Sequence, residues 1–295
     1  MTTNMQPSIM PGVPGHGRYL SFAVAPDADP VAVRDAVQAL VVDESLTVGI
    51  GAPLVALWGA SVDGLRAFPA WSGPGVQLPS TQQALWCWLR GDDRGDLVTR
   101  GMALARALAP GLELAQVIDG FKHGDAELGR DLTGYEDGTE NPEGDEAVAA
   151  AFVGDGSALQ GSSFVAVQQW VHDLDSFTER SQDEQDNIIG RRKSDNEELG
   201  DAPESAHTKR TEQESFEPDA IVLRRSMPFA EADIAGLQFV AFGHSFDAFE
   251  AQLGRMMGHE DGITDALFTF SQPVTGEYYW CPPVDGNRLD LGALG

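Results

Sequence analysis

Hydrophobic and polar positions along the chain fall into two successive series of short apolar runs and longer amphipathic ones. Residues 18–24 (RYLSFAV) read as a strand, and 30–42 as a helix entered after Asp29 with Pro30 in its first turn. Residues 46–51 and 54–60 (LTVGIG and LVALWGA) predict two strands joined by a turn at Pro53. Residues 81–108 read as helical, broken near Gly91-Asp92-Asp93, and 112–119 (LELAQVID) return as a strand. The second series repeats the order: a strand at 163–172, helix over 174–189, strands at 220–226 and 236–243, an amphipathic helix at 246–258, and a closing strand at 277–281. Two copies of βαββαβ predict an α+β chain of two ferredoxin-like halves, each an antiparallel sheet with helices on one face.

Length agrees with that duplication, because 295 residues exceed what one small core needs. The expected boundaries are a loose N-terminal arm at 1–17, halves at 18–150 and 151–285, and a tail at 286–295. The arm is rich in Pro, Gly and Met and has no basic stretch ahead of an apolar one, so it does not read as a secretory signal. No run of 18 apolar residues predicts a membrane-spanning helix. Two stretches stand outside the repeat: 121–161 links the halves, and 190–219 interrupts the second. Long polar excursions in a compact domain are either disordered or functional, and the charged residues gathered here favour function.

Charge and cysteine usage narrow the classes. A formal charge of −27 argues against nucleic acid, whose phosphates demand Lys and Arg, and against anionic membrane surfaces. It leaves two readings, solubility or attraction of cationic substrates and metal ions. Cys87 and Cys281 form no Cys-x-x-Cys pair, and two free thiols in a reducing cytoplasm are the expectation. The same count excludes a covalent c-type haem and argues against an iron–sulfur cluster.

Three segments hold candidate chemistry. Gly134-Tyr135-Glu136-Asp137-Gly138-Thr139-Glu140-Asn141-Pro142 is on its face an acidic, turn-rich loop, and its spacing does not match an EF-hand. His207, in Glu204-Ser205-Ala206-His207-Thr208-Lys209-Arg210, reads either as a surface histidine or as a metal ligand whose second nitrogen is held by a carboxylate. In Leu223-Arg224-Arg225-Ser226-Met227, strand alternation puts Arg224 and Ser226 on one face and Arg225 on the other. One arginine therefore faces inward, where a cation needs an anion or a cofactor; a strand-end surface pair is the alternative. Composition and spacing do not by themselves show haem.

A resemblance does. GYEDGTENP is similar to the Gly-x-x-Asp-Gly motif of the dye-decolorizing peroxidases, with Gly134, Asp137 and Gly138 as its fixed letters. NIIGRRKSDNEEL resembles that family's Ile-Gly-Arg-x-Lys segment, AHTKR its proximal-histidine segment and VLRRSMPF its distal-arginine strand. GLQFVAF and VTGEYYWCPP resemble later family segments. The blocks stand in the family's order over residues 18–285, and most resemble its compact, bacterial, cytoplasmic subgroup.

The resemblance implies a haem peroxidase with one non-covalent haem b in the second half, using hydrogen peroxide to oxidise dyes, phenolics and, as a further candidate, Mn²⁺ through a ferryl state. It makes His207 the proximal iron ligand, with Asp265 as the carboxylate behind it, or else as a turn cap. It makes Asp137 the proton shuttle and Arg224 the stabiliser of charge on the departing oxygen. Ser226 stands where many relatives carry Asn, and the shorter side chain reaches peroxide only through water. Arg191 is expected near the haem propionates, and Leu237 and Phe239 along the pocket, ordinary core packing being the alternative. Trp170, Trp280, Tyr278 and Tyr279 are candidate electron relays for bulky donors, or core. Glu140 and Glu198 are candidate Mn²⁺ ligands, or solvated charges. A homo-oligomer is expected. Leu289, Leu291 and Leu294 resemble tails that load family members into encapsulin shells; docking on the chain's own surface is the alternative. The competing functions are a haem carrier and an enzyme that releases iron from haem.

Overall fold

The computed structural model describes residues 4–109, 111–126, 129–154 and 156–295. Eight long strands carry the fold: β1 (His16–Val24), β2 (Leu46–Ile50), β3 (Leu85–Gly91), β4 (Leu112–Phe121), β5 (Ser163–His172), β6 (Met227–Glu231), β7 (Ile234–Gly243) and β8 (Glu277–Cys281). The helices are α1 (Pro30–Gln38), α2 (Ala52–Leu57), α3 (Arg94–Leu108), α4 (Gly144–Ala151), α5 (Leu174–Thr178), α6 (Gln182–Ile189), α7 (His207–Arg210) and α8 (Asp247–Met256). The protein is a mixed α/β fold with antiparallel sheets.

The expected pair of separate sheets is not what forms. The strands pair antiparallel in the order β2-β3-β1-β4-β6-β7-β5-β8, and β8 pairs back onto β2, closing one eight-stranded barrel. Each half contributes its second, third, first and fourth strands in that order. The seams between halves are narrow, Gly120 with Phe229 and Ile50 with Trp280. Closure removes the open edges that two separate sheets would present to solvent.

Alternation along β3 explains one misreading. Leu85 to Arg90 are all buried, so no polar face betrays a strand, and the segment merges by pattern with the helix that follows. Trp86 and Trp88 point into the barrel, while Leu85, Cys87 and Leu89 join the core beneath the helices. The 85–91 stretch is thus a strand, and the helix starts only where Asp93 caps the Asp96 N–H. Residues 54–60 are the converse error. Gly51 stands at the N-cap, Pro53 sits in the first turn, and Leu54 and Val55 bury one side of α2. The 220–226 stretch pairs only at Leu223–Arg224. There Ser226 Oγ, not a carbonyl, accepts the Val240 N–H at 3.2 Å, and the chain steps before β6 begins.

Side chains fill the barrel, as eight strands allow. Tyr19, Trp86, Trp88, Val165, Phe229, Phe242 and Tyr279 form this inner cluster. Gly49 makes the room: a Cβ there would lie 2.7 Å from that of Tyr279. The segment expected as a loose arm is docked from residue 4 onward. Gln6 bonds both ways with Val48 and donates to the Pro282 carbonyl, and Ile9 is fully buried. The buried Arg90 and Arg225 donate to carbonyls of Ser8, Met10, Pro11 and Gly12. The tail is docked too. Leu289, Leu291 and Leu294 are buried in the outer core, and the Val42 N–H bonds Asn287 O at 2.9 Å. The leucines that would enter a shell's pockets are already inside this molecule.

Candidate active site

Alternation on β5 turns Gln168, Trp170 and His172 away from the barrel interior, and pairing with β7 sets Leu237 opposite Trp170 and Phe239 opposite Gln168. Helices do not pack flat on this outer face. They leave a cavity of about 310 Å³, bounded by Phe249, Leu253 and Met256 of α8, by Leu267 and Phe270, by α7, and by the 131–140 loop. Leu237 and Phe239 thus line it.

His207 opens α7 and lines the cavity. Its Nδ1 lies 2.8 Å from Asp265 Oδ2, and the other oxygen of that buried carboxylate accepts the Leu267 N–H at 2.8 Å. Asp265 is therefore both the histidine's partner and a turn cap. Its peptide is fixed in turn, by Asp265 N–H to Met256 O at 2.8 Å and Ala266 N–H to Ser205 O at 2.7 Å. With Nδ1 committed to the carboxylate, Nε2 has no protein partner among the described residues and is the nitrogen open to a metal. Beside it Thr208 Oγ1, which also belongs to a cavity-lining residue, is buried without a partner among the described residues.

Asp137 sits half-buried in a loop tied down on every side. Asp131 N–H bonds Tyr135 O at 2.9 Å, Arg130 pairs with Glu136 at 2.8 Å, and Asn196 donates to Glu136 at 3.1 Å. The Tyr135 hydroxyl donates to Asp186 on α6. Asp131 Oδ2 meets His172 Nε2 at 3.1 Å, and Thr133 donates twice to its other oxygen. Burial pushes Asp131 up, but the His172 and Thr133 bonds outweigh it and hold the carboxyl below its usual range.

Arg224 lines the same cavity. Asn141 clamps its backbone in both directions, accepting the Arg224 N–H at 2.7 Å and donating to its carbonyl at 3.2 Å. Burial pushes the Asp137 carboxyl up, against the pull of Arg224 and with a further push from Asp131. Burial likewise lowers the Arg224 pKa, against the pull of Asp137 and then Glu140. The two groups are thus an acid and a base in one desolvated space, each biased toward its neutral form.

Other expected residues fall elsewhere. Ser226 is buried with its Oγ spent on Val240 and does not line the cavity. Arg191 does line it, but it is already paired with Glu140 and, at 3.5 Å, with Glu198. Glu198 also takes Lys209 at 3.2 Å. These glutamates converge on cations, and no group of three His, Cys, Asp or Glu fit to hold a metal occurs among the described residues. Trp170, Trp280, Tyr278 and Tyr279 are all buried, not surface sites. Sequence reasoning missed Asp131, His172, Asn141 and Gln213, which bonds Glu140 O at 2.6 Å. The Asn-Pro pair at 141–142 had signalled only a turn.

The donor set fits a haem: an imidazole with a free nitrogen and a carboxylate behind it, an apolar wall, a cation at the rim, and an acid–base pair in the same space. Fold and site together define a mixed α/β protein whose antiparallel barrel carries a histidine–aspartate pair and an aspartate–arginine pair in one outer cavity. Residues 128–286 match the family model for the C-terminal part of Dyp-type peroxidases. A dye-decolorizing peroxidase of Mycolicibacterium paratuberculosis is 32% identical over 230 residues, covering 75% of this chain and 64% of that protein. One from Rhodococcus erythropolis is 38% identical over 181 residues, 58% of this chain and 52% of that one. The matches thus span less than two thirds of those relatives' length. Solved structures match more fully. A dye-decolorizing protein from V. cholerae superposes with TM-score 0.83 at 28% identity, covering 94% of this chain and 96% of that one. A variant of DypB from Rhodococcus jostii in complex with heme gives TM-score 0.84 at 26% identity, with 94% and 96% covered. The chain belongs to the Dyp-type peroxidase family.

Proposed function

We propose that the chain is a haem-dependent peroxidase that reduces hydrogen peroxide at the expense of organic electron donors such as dyes and phenolics. The observation that carries the reading is the shared cavity: His207 backed by Asp265, together with Asp137 and Arg224. A haem b held there by His207 would supply an iron able to take up the oxidising equivalents of peroxide. Attachment is non-covalent, since Cys87 and Cys281 are free, buried and absent from the cavity wall. Arg191 stands at the rim, where a propionate would compete with Glu140 for it.

The chain's own groups do the rest. Asp265 fixes the His207 ring and adds electron density to it through Nδ1–H. The Asp137 carboxylate holds and moves the proton that peroxide must shift from one oxygen to the other before the bond breaks. The Arg224 guanidinium, pinned through its backbone by Asn141, stabilises charge on the leaving oxygen. A haem carrier has no use for this pair: burying an aspartate and an arginine is costly, and transport does not repay it.

The fold reading extends to two fused ferredoxin-like halves, supported by the repeated strand order. No helix among the described residues is long and apolar enough to cross a membrane. The unpaired thiols support a cytoplasmic setting. Assembly as a homo-oligomer belongs to the same reading, and native mass tests it. The functional test compares absorption spectra of the haem-loaded protein before and after one equivalent of peroxide, beside dye turnover and haem transfer to an apo-acceptor. A peroxide-induced Soret change with turnover supports the peroxidase; fast haem transfer without turnover overturns it.

A further inference from the structure

Two carboxyls of the 131–140 loop face the same cavity, and the proposed reaction uses only one of them. Arg130 and Glu136 form a single antiparallel bridge, with their side chains paired at 2.8 Å. One residue beyond each stand Asp131 and Asp137. Alternation turns both to the opposite face of the bridge, and both line the cavity. The turn between them is closed by Asp131 N–H to Tyr135 O at 2.9 Å and by Gly134 N–H to Asp131 O at 2.8 Å. Gly134 permits that turn with a φ of 89°. The backbone thus fixes how the two carboxyls stand to one another.

They are held in opposite ways. One oxygen of Asp131 accepts the Thr133 N–H at 2.8 Å and its hydroxyl at 2.5 Å, and the other meets His172 Nε2 at 3.1 Å. The His172 side chain, 5% exposed, is itself clamped. Its Nδ1 lies 2.7 Å from Ser271 Oγ, which strand pairing sets opposite it, and its ring lies 5.7 Å from that of Phe270. With Nε2–H donating to Asp131, Nδ1 accepts the serine hydroxyl proton. Asp137, by contrast, accepts the Gly138 N–H and has no side-chain donor among the described residues. Burial disfavours charge on both. The bonds to Asp131 outweigh it, while Asp137, drawn down by Arg224 and pushed by the Asp131 charge, stays up. Neighbouring carboxyls driven apart in this way take different roles. Asp131 is a fixed charge, and Asp137 carries the proton.

A fixed charge there has a chemical use. Asp137 must take a proton from one peroxide oxygen and keep it until the other oxygen leaves. An ordinary carboxylate is a weak base for that task. A negative charge beside it strengthens its hold on the proton, and a base works best when its strength is matched to the transfer.

We propose that Asp131, clasped by His172 and Thr133, is a positioning residue that acts through Asp137: its permanent negative charge strengthens Asp137 as the base that takes and returns the peroxide proton. The inference rests on the haem-peroxidase reading above. His172 belongs to the same device, because its bond keeps Asp131 ionised in a desolvated place. A clasp that only held the loop in shape would leave the proton affinity of Asp137 alone, so the two roles separate on a pH profile.

The test is the stopped-flow rate of the haem-loaded protein with peroxide across pH, in the parent, Asp131→Asn, His172→Leu and His172→Gln. In the parent the rate rises with pH as Asp137 loses its proton. In Asp131→Asn that limb should move to lower pH by about one unit, the scale of one nearby charge. The plateau above it should fall severalfold, because the base is weaker. The profiles therefore cross: the variant is faster at acid pH and slower on the plateau, which damage to the loop does not produce. His172→Leu removes a donor, lets burial protonate Asp131, and should shift the limb the same way. His172→Gln, whose amide still donates, should bring it back. Arg224, the Gly138 N–H and His207 also act on Asp137 and are the same in every variant. If Asp131→Asn does not fold, the two His172 variants decide. Carboxyl-¹³C aspartate NMR of the full chain without haem reads the Asp137 midpoint independently, its resonance identified by loss in Asp137→Asn. A limb and midpoint that stay in place in Asp131→Asn, with rates lowered at every pH, overturn the inference. So does loss of the limb in Asp131→Asn, which would make Asp131 the shuttle. A parent that does not respond to peroxide while the midpoint still moves overturns the peroxidase reading, and with it the use assigned to the coupling, but not the coupling.

Discussion

The two halves of the barrel share a strand order yet differ in what covers them. In the first half, α3 is 15 residues long and lays Leu97, Leu104 and Leu108 down as buried contacts. Gly101 lets it come close: a Cβ there would lie 2.9 Å from Arg18 Nε. In the second half the counterpart of α3 is α8, of 10 residues, and the crossover after the first strand, which is α1 alone in the first half, is cut into α5, α6 and α7, of 5, 8 and 4 residues, with a long irregular stretch before α7. Short pieces cannot lie flat along β5 and β7, so a gap remains over the outer sheet face, and polar side chains from the loops reach into it. A duplicated fold has thus acquired a site through what one copy leaves unpacked, and the cost falls on loops that need many hydrogen bonds to hold still.

The sharpest break of that contrast is His207→Ala. The imidazole is the only proposed bond between the second half and an iron, so the variant should lose most of its haem. Haem content per chain after reconstitution and gel filtration measures this. Full loading with normal turnover would remove the ligand assignment. No substitution on α3 should have this effect.

Next in size are Asp137→Asn and Arg224→Leu. Both should keep haem but react with peroxide about 10²–10⁴-fold more slowly, the usual scale for a general acid–base group. Burial raises the Asp137 pKa, so the carboxylate needed as base appears only above that raised value. The second-order rate should therefore climb with pH through it, and the limb should be missing in the Asn variant. Stopped-flow rates equal to the parent's in both variants would show that neither residue acts on peroxide.

Leu97→Ala probes the packed half. Leu97, on the buried side of α3, is 1% exposed, and its truncation should cost about 2–5 kcal/mol of stability. Urea unfolding monitors the loss, while haem affinity at low denaturant should hold. A parallel loss of haem would mean that the two halves, joined through single paired residues at each seam, behave as one cooperative unit and not as scaffold and site.

The same contrast explains what the sequence made legible. Amphipathic and alternating patterns report one buried face, so α1, α8 and the strands β1 and β4 were readable, while β5, buried on both faces along most of its length, was readable as an isolated apolar run. They fail where both faces are buried, as on β3, whose inner tryptophans and outer leucines look alike as hydrophobic letters. They fail again at 54–60, where the local chemistry of Gly51 and Pro53 outweighs the apolar run. Barrel closure depends on seams between distant strands and leaves no local trace. At the site, motif letters led to Asp137, His207 and Arg224, which the fold brings to one cavity, because the groups proposed to react are distinctive residue types. Their supports, His172, Asn141 and Gln213, are ordinary residues brought in from far along the chain, and only the folded arrangement selects them. The tail's leucines show the reverse, a motif-like spacing that the fold uses for packing.

The smallest effect should come from Ser226→Ala. The residue lies two positions after Arg224, where strand alternation alone would put it on the same face, toward the cavity. The chain instead steps between Arg224 and β6, and the hydroxyl is turned to accept the Val240 N–H at 3.2 Å. Removing it takes away one buried bond, worth about 0.5–1.5 kcal/mol, and nothing that touches the cavity. The rate of reaction with peroxide should change less than twofold, while the midpoint of unfolding drops slightly. Ser226→Asn sharpens the point, because the larger amide does not fit where a hydroxyl now serves as a strand acceptor; it should destabilise more than Ala does, without gaining rate. A tenfold rate loss in the Ala variant at unchanged stability would instead return Ser226 to the peroxide side and shift the boundary between wall and site by one residue.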